Sequence, residues 1–155
     1  MKRWPWYLCA LLLIAVLGWM PFEGSDVAKL KPVEVVRIER GDNMITVQTD
    51  TGDIGEGKDL SEAFADLKQR TAGQVFLETA DFLLIDTEAK PLLPELYAWL
   101  RPACGVCICN VPVDLEQVAL FLNTHSPVNT LQRCQIADVT LQRLSVKEGQ
   151  MKLEM

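Results

Sequence analysis

Four of the five cysteines of this chain fall in its second half, and three of them are packed into six residues, Cys104-Gly105-Val106-Cys107-Ile108-Cys109. Thiolates at C-x-x-C spacing bind zinc or cycle as a redox pair. A structural zinc site takes four ligands, and only Cys134 or His125 remains to complete one. No Lys, Arg or His lies inside the run to stabilise a thiolate. On a strand, Cys107 and Cys109 point to one face and Val106 and Ile108 to the other. The run therefore reads first as small buried hydrophobes in a central strand. A disulfide, or a metal or thiol-redox site built on Cys104, Cys107 and Cys109, is the competing reading.

His125 is the only histidine. It closes an apolar helical stripe, where a cation is favoured by the helix dipole. With one His and no Gly-x-Ser-x-Gly, a serine-hydrolase triad has little support. Asp50, Asp53, Glu56 and Asp59 crowd a stretch with Gly52, Gly55 and Gly57. Counted as a calcium loop from Asp50, the sixth position is a glycine but the twelfth is Ser61, where a bidentate Glu belongs. Gly57-Lys58 runs into Asp59, so no phosphate-cradling Gly-Lys-Ser/Thr is present. These patterns predict no catalytic, cofactor-binding or metal-ligating residues, and they point to a non-enzyme.

The elements that must position these residues are read from periodicity. Residues 33–38 are rich in β-formers and Met44-Ile45-Thr46-Val47-Gln48-Thr49 alternates, with turn residues Gly41-Asp42-Asn43 between, so a hairpin is predicted. Asp50 to Gly57 reads as a loop. Asp59 with Glu62 three residues on begins a helix whose stripe is Leu60, Ala63, Phe64 and Leu67. Phe82-Leu83-Leu84-Ile85 is a strand covered on both faces. A second helix is predicted over Glu88 to Arg101, with Leu92, Leu96 and Trp99 on one face. A strand at Gly105 to Val111 follows. A third helix opened by Asp114 carries Leu115, Val118, Ala119 and Leu122. Val139–Val146 and Met151–Met155 form a terminal hairpin. The order β-β-α-β-α-β-α-β-β predicts an α/β (α+β) fold, a mixed sheet packed by about three helices, with the Phe82 and Val106 strands central and parallel.

The first 22 residues stand apart. Residues 4–22 carry no charge and follow Lys2 and Arg3. As a helix they span about 28 Å, close to a bilayer core, with Trp4, Trp6 and Tyr7 at one end and Trp19 and Phe22 at the other. They are expected to form an uncleaved signal anchor, a single transmembrane helix holding the amino terminus in the cytoplasm. Cleavage is the alternative, which the bulky residues after Leu17 suit poorly. Residues 23–32 read as a juxtamembrane linker, and 33–155 as one extracytoplasmic domain. The chain of 155 residues has 15 basic and 21 acidic side chains, a net charge of −6. With no basic stripe it fits neither a nucleic-acid backbone nor an anionic lipid surface.

Gly57-Lys58-Asp59-Leu60-Ser61-Glu62-Ala63-Phe64 resembles a stretch of the Ger(x)C family, the lipoprotein C-subunits of spore germinant receptors. There a hairpin strand like Ile45-Thr46-Val47-Gln48 leads into a Gly-Lys-Thr-Leu-x-Glu-Ala helix start. Phe82-Leu83-Leu84-Ile85, Trp99-Leu100-Arg101-Pro102 and Val106-Cys107-Ile108-Cys109 stand for the elements that follow. The likeness covers residues 33–125 and is confined to that family's N-terminal domain. The family's His before its middle strand is replaced by Thr79-Ala80-Asp81, its Arg-Asp by Arg101-Pro102, and its lipobox is missing. The resemblance implies a non-enzymatic interaction domain on the outer side of a membrane, with integral-membrane receptor subunits as partners. A transmembrane helix would replace the lipid anchor.

Overall fold

The computed structural model describes residues 30–147 and 149–155. The expected anchor at residues 1–22 lies outside them. Among the described residues no helix is long and apolar enough to cross a membrane.

Among the described residues nine strands and four α-helices follow in order. They are β1 (Leu30–Pro32), β2 (Val35–Arg40), β3 (Ile45–Thr49), β4 (Ile54–Gly57), α1 (Leu60–Arg70), β5 (Gln74–Phe76), β6 (Phe82–Ile85), α2 (Leu93–Leu96), β7 (Gly105–Ile108), α3 (Leu115–Thr124), α4 (Leu131–Ile136), β8 (Gln142–Lys147) and β9 (Gln150–Glu154). Seven strands form one mixed sheet in the order β4-β3-β2-β6-β7-β8-β9. The middle four, β2, β6, β7 and β8, are parallel. Antiparallel strands close both sides. The expected α/β architecture, both hairpins, and the central parallel pair β6–β7 are present.

Two apolar layers sandwich this sheet. On one face Val36, Ile38, Val47, Leu83, Ile85 and Val106 meet the α1 stripe, the segment around α2, and Leu131 of α4. On the other, Val35, Phe82, Leu84, Cys107 and Leu144 meet Leu115, Val118, Ala119 and Leu122 of α3. The continuous apolar run of β6 follows from this double cover, all four of its residues being buried.

Local chemistry explains α1. The Asp59 carboxylate accepts from the Glu62 N–H at 2.8 Å, and Glu62 reaches back to the Lys58 N–H at 3.0 Å. Lys68 and Arg70 sit in the last turn, against the negative helix end. Phe64 stacks on Trp99 with ring centroids 4.7 Å apart, joining α1 to the α2 segment.

Several expected boundaries are corrected. The stretch 50–57 is not all loop, because Ile54–Gly57 is the edge strand β4, paired with β3. Its Gly55 and Gly57 let α1 lie directly on the strand. A Cβ on Gly55 would sit 2.5 Å from the Leu67 nitrogen and nearer still to the Ala63 carbonyl oxygen. The linker reading of 23–32 fails at its end, where β1 pairs in parallel with β5. No helix runs from Glu88 to Arg101. A 3₁₀ turn over Lys90–Leu92 passes into the four-residue α2, and turns follow it. Pro91 and Pro94 supply no N–H, so a continuous ladder cannot form across them. The apolar face survives the break, with Leu92, Leu93, Leu96 and Leu100 all buried. Helix α4, capped by Thr130, has no counterpart in the predicted order of elements.

Candidate functional site

The cysteine run spans β7, inside the parallel part of the sheet, with Cys107 in the strand and Cys104 and Cys109 flanking it. Its alternation divides the three thiols between two layers. Cys104 packs with the α1 and α2 side, whereas Cys107 and Cys109 pack with α3. Val106 and Ile108 face the first layer, as strand alternation requires. Residues 104 and 107 are an odd number of positions apart, so a C-x-x-C pair in extended chain faces opposite ways. All three thiols are completely buried. Burial pushes the Cys104 thiol up to about 12, with Arg101 pulling weakly back. Burial likewise pushes Cys107 up to about 12, and its neighbours Cys109 and Cys104 add to the shift. Cys109 is raised by burial too. Burial thus disfavours the thiolate, the reactive form, and makes these thiols poor nucleophiles.

Cys134 is distant in sequence and sits on α4, half-buried against the first layer, its thiol also raised by burial. Cys104, Cys107, Cys109 and Cys134 are all free. Among the described residues no three His, Cys, Asp or Glu side chains gather where they could hold a metal ion.

The other residues singled out by sequence do not converge either. His125 ends α3, exposed, with its ring stacked on Phe121 at 4.6 Å and Nδ1 2.8 Å from the Thr124 hydroxyl. Asp50 accepts from the Glu34 N–H at 3.1 Å, and burial raises its pKa. Asp53 accepts from the Thr51 hydroxyl at 2.7 Å and pairs with Lys31 at 3.5 Å. Asp59 is committed to the α1 cap. Asp50, Asp53 and Asp59 thus each have a separate structural task, and Glu56 lies on β4.

In open α/β sheets ligands settle outside the carboxyl ends of the parallel strands. Here that end is tied off by its own side chains. Asp86, just after β6, accepts from the Arg40 N–H at 2.9 Å and the Ala89 N–H at 2.6 Å. Thr87 and Asn110 bond to each other across the ends of β6 and β7. On β2, near Cys109, Arg37 is buried, paired with Glu39, and its Nε has no partner. The only sequence signal for Arg37 is a charge set among the β-formers of β2.

The described surface includes two open grooves of note. One of about 540 Å³ lies beside Lys90, Ile108, Asp138, Arg143 and Glu154. The other, about 500 Å³, is formed by the β2–β3 turn and Lys58. Both carry charge and neither contains a cysteine or the histidine.

Comparison with protein-family models, with curated protein sequences and with solved structures finds no match to this chain.

Proposed function

We propose that the chain is a membrane-anchored interaction domain, held at the outer face of a membrane by residues 4–22 and working through surface contact rather than chemistry. The observation that carries the reading is the division of the Cys104–Cys109 run between two apolar layers, with all three thiols buried. The rival reading, a metal or thiol-redox protein using Cys104, Cys107 and Cys109, needs thiols that can ionise and converge. The resemblance to the N-terminal domain of the germinant-receptor C-subunits gives the anchored domain a role. It is an accessory of a spore-germination or sporulation receptor, and its partners are integral-membrane receptor subunits. The order hairpin, α1, β6, β7 is consistent with that likeness.

Protease treatment of intact spheroplasts tests the topology. The body is expected to be digested from outside while a cytoplasmic control survives, and the undigested chain is expected to sediment with membranes. Recovery of the full chain in the cytosol, protected from protease, would overturn the reading. Elemental analysis of the purified protein addresses the rival: stoichiometric zinc or iron would establish it in place of the interaction domain.

A further inference from the structure

The terminal hairpin leaves one side of the sheet open. Strand β8 pairs with β7 through only Gln142 and Arg143, while Arg143 to Lys147 all pair with β9. Strand β9 is the last of the sheet, and among the described residues nothing bonds to its outer side. Lys147 pairs with Gln150 across a tight turn that holds Gly149 at φ +76°. The pair closing a two-residue turn is hydrogen-bonded, and the pattern alternates from there. It follows that Met151 and Leu153 direct their N–H and C=O groups outward.

A free edge of this kind is a template for another strand. Natural edges often carry a lysine that discourages pairing, and Lys152 is well placed for that. Glu154, however, lies two residues further on the same face, and this changes the outcome. Antiparallel pairing of β9 with a second β9 must bring outward-bonding residues opposite each other. That leaves registers in which 151, 153 and 155 pair among themselves. Centring on residue 152 sets Lys152 against Lys152, and centring on 154 sets Glu154 against Glu154. The register with Leu153 on the two-fold axis sets Lys152 opposite Glu154 twice. It alone opposes unlike charges. These fall at the non-hydrogen-bonded pairs, where side chains approach most closely. On the other face the same register joins Leu153 to Leu153 and Met151 to Met155. The last is 89% exposed in the single chain.

We propose that β9 is a homodimerisation edge, pairing antiparallel with β9 of a second copy about Leu153 to make one continuous sheet of fourteen strands. The contact is isologous, so it closes at two copies and does not propagate. A five-residue strand pair is a small interface, and the dimer is accordingly concentration-dependent.

The purified full chain tests this by light scattering across a concentration series. Wild type is expected to shift from monomer to dimer. Lys152→Glu and Glu154→Lys each place like charges at both symmetric sites and are expected to weaken the dimer about tenfold. The double swap restores unlike pairs and is expected to recover wild-type association, which a merely unfolded variant could not do. Oxidation of Leu153→Cys is expected to cross-link two copies, whereas Met151→Cys, which faces Met155, cross-links far less. A chain that stays monomeric throughout would overturn the proposal. So would a dimer unaffected by either charge reversal, or cross-linking stronger through position 151 than 153.

Discussion

Substituting alanine for Gly55 tests how α1 is seated. Gly55 lies in the middle of β4, opposite Val47 of β3, and faces the helix. An added methyl would lie 2.5 Å from the Leu67 nitrogen and 2.6 Å from its Cβ. Both belong to parts of the helix that cannot rotate aside. The helix must therefore lift as a body, loosening Phe64 and Leu67, which are fully buried beneath it. Overpacking costs about 1–3 kcal/mol, and with backbone as the obstacle we expect the upper end, about 3 kcal/mol. That is a large share of the ~5–15 kcal/mol by which a domain is stable. Gly52→Ala supplies the comparison. Gly52 has φ +82° with nothing within 4 Å of an added Cβ, so only the left-handed conformation is penalised. This costs about 1–2 kcal/mol. Urea denaturation followed by circular dichroism measures both. A Gly55→Ala protein no less stable than Gly52→Ala would refute the close seating of α1 on β4.

Two further outcomes are expected. Cys104 and Cys107 lose their protons near 9.0 when unfolded and near 12 when folded. Between those values the unfolded chain holds fewer protons, so stability falls as pH rises, by about 1.4 kcal/mol per pH unit for each thiol. Unfolding measured from pH 8 to 11 should show this slope, and replacing both cysteines with alanine should remove their share of it, leaving that of Cys109 and Cys134, which burial also raises. An unchanged slope in the double variant would contradict the burial of these thiols. Asp59→Ala removes the acceptor of the Glu62 N–H and should cost about 1 kcal/mol in denaturant unfolding. Full stability in this variant would mean that the cap is not holding α1.

Much of the architecture was legible from nearest neighbours. The caps and stripe of α1 and α3, the turn chemistry of both hairpins, and the alternation through Cys107 and Cys109 act over a few residues, and they reappear in the fold. The candidate site was legible in the same limited sense. Alternation showed that Cys107 and Cys109 share a face, but which apolar layer each thiol enters depends on the helices that cover the sheet. Arg37 gave no local sign that it would be buried next to Cys109.

What the chain determined by itself is therefore the set of elements whose causes are local: where an acidic residue caps a helix, where proline denies an N–H, where side chains alternate. Tertiary structure alone made a strand of Ile54–Gly57, because its glycines look like a loop until β3 offers a ladder and α1 requires their bare backbone. It alone brought Leu30–Pro32 against Gln74–Phe76. Pairings between residues so far apart in the chain depend on a partner surface that no sequence window contains, and so they leave no periodic trace in either segment.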